Sequence, residues 1–484
     1  MHRFIPTGTA RPDRARILAA VDALVPTALA LYAAALLVLA WRSRTRGELE
    51  FLLAGRRLTL PAFVATLVST WYGGVLGVGE FSFRFGIANW LVFGVPYYLA
   101  ALLFAFVLAA RARATAAASI PDQLRTAYGP SAARVGASLV LLMAIPAAYV
   151  LMLGELARIY LGWPLAAAVV AGTAFTIAYV AAGGFRTVVD TNALQFVLMF
   201  VGFLVVLPAA ISRVGGFGAL WDALPPAHRA WDGGLGVQAV VVWYFIAMQT
   251  LVEPTFYQRT YAARTPEVAR RGVLVSVAFW LLFDFLTTFA GLAARVLLPG
   301  ADPVLAYPEL GRLVLPPLAN ALFAVGLFAT VMSTAHSYLF LAAATLGHDI
   351  APELARRGSQ RRWTMLGLVV AGAAAVALAL RLRSVAAIWH DVGSVVTSAL
   401  LLPLALSHFA PRLRFRPAFA TAAMLAAAAV ALAFILARGD DGSYPLGLEP
   451  IFPALAASAV LWLVGRRRAD PPPAGAPGHR PADS

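Results

Sequence analysis

The feature that most constrains this chain is a series of apolar runs of about 20 residues or more, the length that crosses the roughly 30 Å hydrocarbon core of a bilayer. Short clusters of charged residues separate the runs. Of the 484 residues, 61% are hydrophobic and 13% are charged, whereas a soluble globular protein carries about 25% charged residues. The pattern predicts an all-α polytopic membrane protein and excludes a water-soluble enzyme.

Thirteen transmembrane helices are predicted from the positions of these runs. They lie near residues 17–41, 59–86, 88–110, 134–160, 163–182, 190–212, 235–259, 272–298, 316–347, 363–381, 386–409, 415–437 and 447–466. The first run is too long for the apolar core of a signal peptide, so we expect a permanent N-terminal helix there. The Pro-rich tail 468–484 is expected to be disordered.

The basic residues are unevenly distributed between the two sides of the membrane. All 38 are arginines and the net charge is +15, but most of them lie in clusters between spans, where charge sets orientation. We therefore reject a nucleic-acid partner. Counted on alternating sides, 25 arginines fall on one side, here called the arginine-rich side, and 13 on the other. The positive-inside rule predicts a cytoplasmic C-terminus and an external tail at 1–16, although that tail holds four arginines.

The composition and the missing motifs exclude several functional classes of membrane protein. The chain has no cysteine, which excludes disulfides, iron–sulfur clusters and thiol catalysis. It also lacks HExxH, GxSxG and phosphate-loop motifs, so we expect neither an enzyme nor an ATP-driven pump. Abundant alanine and arginine without lysine are typical of a GC-rich genome, and we expect a bacterial plasma membrane. The lipid bilayer is the expected surrounding, with no obligate protein partner and no organic cofactor.

Two of the predicted spans are interrupted. The second carries STWYGG at 69–74, followed by Gly77 and Gly79, a density of small residues that weakens a helix. The seventh carries QTLVEP at 249–254, in which Pro254 removes a backbone donor. Carbonyls freed in this way are tolerated at membrane depth only where they line a cavity or bind something.

The two interruptions fall in corresponding positions of two five-helix units, residues 55–212 and 235–409. Such a pair of broken spans is typical of an inverted-repeat secondary transporter. One extra helix would precede the units at 17–41, and two would follow at 415–467. The alternative is a pair of Gly/Pro kinks that serve helix packing.

A stripe of hydroxyl groups marks the ninth span. Thr330, Ser333, Thr334 and Ser337 recur at i, i+3, i+4 and i+7, which gathers them within an arc of about 100° on one helix face. Such stripes often serve interhelical hydrogen bonds. Beside a broken helix that offers carbonyl oxygens, however, neutral oxygen ligands and a helix dipole suit a weakly charged cation. The combination favours a Na⁺ site.

Four ordered motifs extend these observations over nearly the whole chain. They are LAGRRL (53–58) ahead of STWYGG (69–74), GGFRTVVDTNALQ (183–195), FYQRTYAARTPEVARRG (256–272) and ATVMSTAHSYLFLAAATLGHDI (329–350). With these motifs the chain resembles the sodium:solute symporter family. The resemblance implies a LeuT-like core of two inverted five-helix repeats and alternating access driven by sodium.

The resemblance also implies a set of sodium ligands. Carried over residue by residue, these are the carbonyls of Ser69, Tyr72 and Thr330 and the hydroxyls of Ser333 and Thr334. The residues of the ninth span in this set belong to the stripe that helical periodicity selects.

Three residues depart from the family pattern. Thr330 replaces a small alanine, which leaves a carbonyl ligand intact. Asn192 replaces an aspartate that the family associates with ion passage, and Asp190 is a possible substitute for it. His336 stands where many members have aspartate, and its side chain lies roughly 110° from the centre of the stripe. We expect His336 to tune sodium binding, its alternative being a structural role, and Tyr257 to form an inner gate.

The solute candidates cluster at the two breaks: Trp71, Gly73, Gln249, Thr250 and Glu253. An intramembrane carboxylate is a functional candidate by default, although Glu253 could instead pair with an arginine, and the aromatic rings could plug the cavity. These groups suit a small polar organic solute. We expect sodium-coupled symport, with a proton-coupled symporter of the same fold and a passive channel as alternatives.

Other ionisable residues have alternative roles. Glu155 either contacts substrate or pairs with Arg158 three residues on, and Glu80 either acts in a gate or pairs with Arg84 four residues on. A structural hydrogen-bonding role is the stronger interpretation for Asp284.

Overall fold

The computed structural model of this protein describes residues 12–45, 47–350, 360–382, 385–439 and 443–466. Within these ranges, twelve helices are long and apolar enough to span a membrane. They are α1 (Leu24–Arg42), α2 (Leu60–Phe85), α3 (Trp90–Ala114), α4 (Pro130–Leu161), α5 (Leu165–Gly183), α6 (Phe185–Val214), α7 (Val237–Ala262), α8 (Pro266–Leu297), α9 (Pro317–Ile350), α10 (Gln360–Arg381), α11 (Trp389–Ser407) and α12 (Pro417–Leu436). The chain is an integral membrane protein.

The thirteenth predicted span, at 447–466, is a helix of 15 residues, α13 (Ile451–Gly465). It is shorter than the about 20 residues that a perpendicular crossing takes. Most of the N-terminal tail and the C-terminal tail lie outside the described residues, as do Arg356 and Arg357 of the loop before α10.

Both predicted helix breaks are confirmed. In α2 the α-helix Leu60–Trp71 passes through a tight turn at Tyr72–Gly74 and resumes at Val75–Phe85. In α7 the helix Val237–Ile246 tightens at Ala247–Leu251 and stops. It resumes at Pro254, whose fixed φ suits the first turn of a helix. The Glu253 side chain accepts from the Thr255 amide and so caps this second half.

A third interruption lies in α4 and was not predicted. The helix Pro130–Ala144 stops at Ile145, and Ala147–Leu161 continues the span. Pro146 explains the break because proline supplies no amide hydrogen to the helix ladder. Tyr149 follows one turn later.

The centre of the bundle is α9. In its most apolar window 83% of the residues are buried, against 28% for α12. Helix α9 packs on α6, α1, α4, α10 and the first half of α2, while α8 packs on α2 and α6. Because α9 contacts protein on every side, its polar groups can be satisfied only by other protein groups or by a bound species.

Hydrogen bonds between loops show which loops lie on the same side of the helix bundle. On the arginine-rich side, Arg56 donates to the Ala116 carbonyl at 2.8 Å, Arg113 donates to the Ala263 carbonyl, and Arg361 donates to the Thr45 carbonyl at 3.0 Å. On the opposite side, the Ile87 amide donates to the His228 carbonyl at 2.9 Å. These contacts agree with the alternation of sides that was assumed when the arginines were counted.

Candidate functional site

The break in α2 and the hydroxyl stripe of α9 meet. Ser333 Oγ lies 2.7 Å from the carbonyl oxygen of Ser69 and 2.7 Å from that of Thr330. Thr334 Oγ1 donates to the carbonyl of Thr70 at 2.5 Å. All of these residues are buried. Direct contacts thus join three of the five expected sodium ligands, those of Ser69, Thr330 and Ser333, in one cluster of neutral oxygens. Thr334 contacts the next carbonyl of the α2 break, that of Thr70.

The backbone after Tyr72, the fifth expected ligand, runs directly against Thr334. A Cβ at Gly73 would lie 2.2 Å from both Cβ and Oγ1 of Thr334, so only glycine fits there. Gly73 was expected to contact solute, but the structure packs it on α9. Its place in the site is to let the α2 backbone approach the hydroxyl stripe.

A buried arginine lies one turn along the stripe. Arg259 Nη2 donates to Thr70 Oγ1 and Ser337 Oγ, both at 2.8 Å, and to Thr66 Oγ1 at 3.3 Å. The side chain is fully buried and its guanidinium faces the Phe185 ring at 5.3 Å. No carboxylate of the described residues forms an ion pair with it. This buried hydrogen-bonding role was not predicted from the sequence, because Arg259 is one of several arginines in the segment 259–271.

Asn192 and His336 form a second layer around the stripe. Asn192 Nδ2 contacts Thr66 Oγ1 at 2.6 Å and Thr70 Oγ1 at 3.3 Å. His336 Nε2 lies 2.8 Å from Asn192 Oδ1, and its Nδ1 lies 2.6 Å from the Tyr179 hydroxyl. Both ring nitrogens are thus engaged, and the side chain does not contact the Ser69, Thr330 and Ser333 oxygens.

Asp190 stands apart from this layer. It accepts from Ser43 Oγ at 2.7 Å and from Arg186 Nε at 3.0 Å, and its side chain is 30% exposed. Residues two apart on a helix point to nearly opposite faces. Asp190 therefore lies outside the layer that Asn192 and His336 form.

A cavity of about 110 Å³ lies beside the two breaks. Of the expected solute contacts, Trp71, Gln249 and Glu253 line it, while Thr250 is fully buried outside its wall. Most of the remaining wall is aromatic and was not predicted. The further lining residues are Tyr72, Gly74, Val78, Phe93, Tyr97, Tyr149, Trp243, Ile246, Asp284, Tyr338 and Trp389.

Two carboxylates face this cavity. Glu253 is fully buried, and its Oε1 accepts from Thr255. Its Oε2 forms no hydrogen bond of good geometry among the described residues, with Tyr338 and Gln249 as its polar neighbours. Asp284 is 2% exposed and accepts a short hydrogen bond from the Tyr98 hydroxyl. Asp284 therefore has the expected hydrogen-bonding role and also lines the cavity.

The cavity leads to a vestibule of about 510 Å³, with which it shares Phe93, Trp243 and Trp389. The vestibule carries two local ion pairs, Glu80 with Arg84 at 3.0 Å and Glu155 with Arg158 at 2.7 Å. Both pairs are partly exposed, so they shape the vestibule wall and leave the cavity carboxylates unpaired.

Tyr257, the expected inner-gate residue, is buried on the arginine-rich side. Tyr257 is 1% exposed, donates to the Leu251 carbonyl at 3.1 Å and lines a separate void of about 40 Å³. The same void is lined by His348 and Asp349. With Asp122 these form the one described group of acidic and imidazole ligand atoms that lie within 4.8 Å of one another. His348 Nε2 contacts Asp122 Oδ2 at 3.0 Å and ties the end of α9 to the 111–134 loop.

Two broken helices that meet a central buried helix beside an aromatic cavity define a transporter with a LeuT-like fold. The profile of the sodium:solute symporter family matches residues 51–425, and the chain belongs to that family.

Two curated relatives are cotransporters of vertebrates. The chain is 26% identical over 249 residues to sodium/myo-inositol cotransporter 2 of Homo sapiens, a match that covers 42% of this chain and 36% of that protein. It is 25% identical over 260 residues to sodium/mannose cotransporter SLC5A10 of Bos taurus, covering 44% of this chain and 43% of that protein. The match thus spans less than half the length of these relatives.

Solved structures of two transporters share the fold. A Na⁺-coupled sialic acid symporter in a substrate-bound outward-open state superposes with a TM-score of 0.76 at 16% identity, covering 92% of this chain and 96% of that one. Mhp1, a nucleobase-cation-symport-1 family transporter in a closed conformation, superposes with a TM-score of 0.56 at 14% identity, covering 88% of this chain and 92% of that one.

Proposed function

We propose that this protein is a secondary active transporter that couples the movement of Na⁺ to symport of a small polar organic solute by alternating access. The observation that carries the proposal is the contact of Ser333 Oγ with the Ser69 and Thr330 carbonyls, 2.7 Å each. It joins a broken helix to a hydroxyl stripe at the centre of the bundle.

The ligand set favours sodium over other ions. Three carbonyls and two hydroxyls, from Ser69, Tyr72, Thr330, Ser333 and Thr334, are hard and neutral. Hard oxygens suit hard cations, and a set without net charge suits a monovalent one. No carboxylate belongs to the set, so a proton has no acceptor of ordinary basicity among these ligands.

The proposed binding site of the solute is the aromatic cavity, where Trp71, Gln249 and Glu253 contact it. The units 55–212 and 235–409 are the two repeats, and their relative motion closes the vestibule and opens the Tyr257 side. Asn192 and His336 modulate sodium binding from the second layer.

Uptake into proteoliposomes with a panel of labelled solutes tests the proposal. We expect accumulation under an inward sodium gradient and none under an inward proton gradient at equal sodium. Accumulation under the proton gradient alone would establish the proton-coupled alternative, and downhill flux that neither gradient can drive uphill would establish a channel.

We also propose that the arginine-rich side faces the cytoplasm, with the N-terminus outside and the C-terminus inside a bacterial plasma membrane. Single cysteines at Arg264 and Gly218 suit a labelling test, since the native chain has none and Gly218 has open space around it. In sealed right-side-out vesicles an impermeant maleimide should label Gly218→Cys only. Labelling of Arg264→Cys there would contradict the orientation.

A further inference from the structure

The solute cavity has an unbalanced charge. Two carboxylates, Glu253 and Asp284, line it, and none of the described residues in its wall is basic. Glu253 Oε2 is buried and forms no hydrogen bond of good geometry with the described residues, and the nearby polar groups of Tyr338 and Gln249 are neutral. A buried ionised carboxylate is costly unless a positive group compensates it. The wall supplies no such group, so a positive charge on the bound solute would supply it.

The nearest candidate within the protein is already engaged. Arg259 is five residues past Pro254, where α7 resumes, but its guanidinium donates to Thr66, Thr70 and Ser337 on the side of the neutral oxygen cluster. It forms no ion pair with either carboxylate among the described residues. Arg259 lies close enough to Glu253 to interact with it electrostatically. One guanidinium does not balance two carboxylates, so the cavity keeps an excess of negative charge.

The rest of the wall suits a cation as well. Tyr97, Tyr149 and Tyr338 lie close enough to Glu253 to interact with it electrostatically. Tyr149 also packs against Tyr338, with ring centroids 5.1 Å apart, and against Trp389 at 6.0 Å. Aromatic faces carry negative potential, and cages of such rings bind quaternary ammonium groups. The carboxylate and the rings thus attract the same kind of group.

The cavity has room for a small group beside Glu253. Its volume is about 110 Å³, and an apolar cavity of about 150 Å³ holds benzene, so a trimethylammonium or dimethylammonium group is of comparable size. The rest of the solute can extend into the vestibule of about 510 Å³ to which the cavity leads. A neutral polyol would leave Asp284 without a positive partner.

We propose that the solute is a small organic cation with an alkylated ammonium group, held at Glu253 between the rings of Tyr97, Tyr149 and Trp389. The inference rests on the proposed symport function and names the substrate class of the same cavity. Asp284, fixed by Tyr98, adds negative potential from the opposite helix α8.

Binding and transport are tested separately on the full-length protein. Intrinsic tryptophan fluorescence is titrated with choline, tetramethylammonium, myo-inositol, mannose and acetate in sodium buffer and in a buffer where potassium replaces sodium. Uptake of the same compounds is then measured under a sodium gradient. We expect choline or tetramethylammonium to bind and choline to accumulate, with no response to the sugars or acetate.

Single substitutions test whether Glu253 is the residue that binds the cation. Glu253→Gln removes the counter-charge and should weaken choline binding about 100-fold, while Glu253→Asp should weaken it less. Glu267→Gln is the matched control, because Glu267 lies at the surface start of α8, paired with Arg271. If Glu253→Gln does not fold, the ranking of wild type, Glu253→Asp and Glu267→Gln still tests the role of the carboxylate.

The outcomes separate the two proposals. Sodium-driven uptake of myo-inositol, mannose or acetate without choline binding would overturn the cation inference and leave symport standing. Choline binding that depends on Glu253 but not on sodium would support the inference and contradict sodium coupling. Choline binding of equal strength in wild type and Glu253→Gln would overturn the inference, as would the absence of any response to both cations.

Discussion

The proposed ion cluster, formed by Ser69, Tyr72, Thr330, Ser333 and Thr334, and the proposed solute cavity lie side by side but are built differently. The ion cluster comes from two segments, 69–72 in α2 and 330–334 in α9, and is completely buried. The cavity takes its wall from many helices, with Trp71, Tyr149, Trp243, Asp284 and Trp389 each contributed by a different one. The first is made of backbone and hydroxyl oxygens, and the second of aromatic rings and carboxylates.

This difference shows what each site can select. Oxygens fixed by one helix face and one backbone break have a defined geometry, which suits an ion of one size. A wall of separate side chains from several helices can change with few consequences for the fold. The comparison predicts that changes in the ion cluster alter sodium affinity, whereas changes in the cavity alter solute choice.

The largest expected effect follows from removing both hydroxyl ligands. A ligand to a charged group contributes about 1.5–3 kcal/mol, so the double variant Ser333→Ala, Thr334→Ala should raise the sodium concentration for half-maximal uptake at least about 100-fold. The control is Ser276→Ala with Thr287→Ala, two buried hydroxyls of α8 that bond to their own helix. Parental sodium dependence in the first variant would place the site elsewhere.

A glycine pair in α2 tests whether close approach of the backbone matters. Gly73→Ala forces a methyl group to 2.2 Å from Thr334, while Gly77→Ala meets Trp389 at an ordinary 3.5 Å. Overpacking costs about 1–3 kcal/mol, so Gly73→Ala should weaken sodium binding by about tenfold or more. Gly77→Ala should stay near wild type in a sodium titration of uptake. Equal sodium dependence in the two variants would contradict the packing argument.

The charge on Arg259 should oppose sodium. Two like charges about one helical turn (about 5.4 Å) apart repel by a few kcal/mol at an effective dielectric constant of about 20. Arg259→Gln should therefore tighten sodium binding by about tenfold and lower thermal stability, since Thr66, Thr70 and Ser337 lose their donor. Arg270→Gln, at the Phe106 ring on the same side, is the control. Weaker sodium binding in Arg259→Gln would mean that the guanidinium orders the ligands.

His336 should have the smallest effect. An imidazolium would repel sodium, so sodium affinity should fall as acidification protonates the ring. His336→Gln should flatten this loss, and His336→Asp should flatten it and also raise apparent sodium affinity. The measurement is the pH profile of the sodium titration. Unchanged profiles in both variants would leave His336 a structural residue held by Tyr179 and Asn192.

Much of the fold could be predicted from sequence, as could the two segments that meet in the proposed ion cluster. Apolar runs of spanning length reveal helices because the bilayer imposes their length. The 330–337 stripe and the 69–74 glycines are visible in the sequence because periodicity and flexibility are local properties. The contact of Gly73 with Thr334 could not be predicted, because it depends on packing between helices distant in sequence.

The cavity wall and the burial of Arg259 could not be predicted from local sequence patterns, because they also depend on packing between distant helices. Tyr97, Tyr149 and Trp389 look like ordinary membrane aromatics until three helices bring them together. Arg259 lies in a cluster of arginines and differs from them only by burial. The Pro146 break was overlooked because a single proline in an apolar run carries a weak signal without a polar neighbour.

The central claim is that sodium binds where the α2 break meets the α9 stripe, separately from the solute. Equilibrium binding of radioactive sodium to the purified protein without solute tests this most directly. Wild type and Glu253→Gln should bind sodium with similar affinity, and the Ser333→Ala, Thr334→Ala variant should show no saturable binding over the same range. Equal sodium binding by wild type and the double variant would contradict the claim.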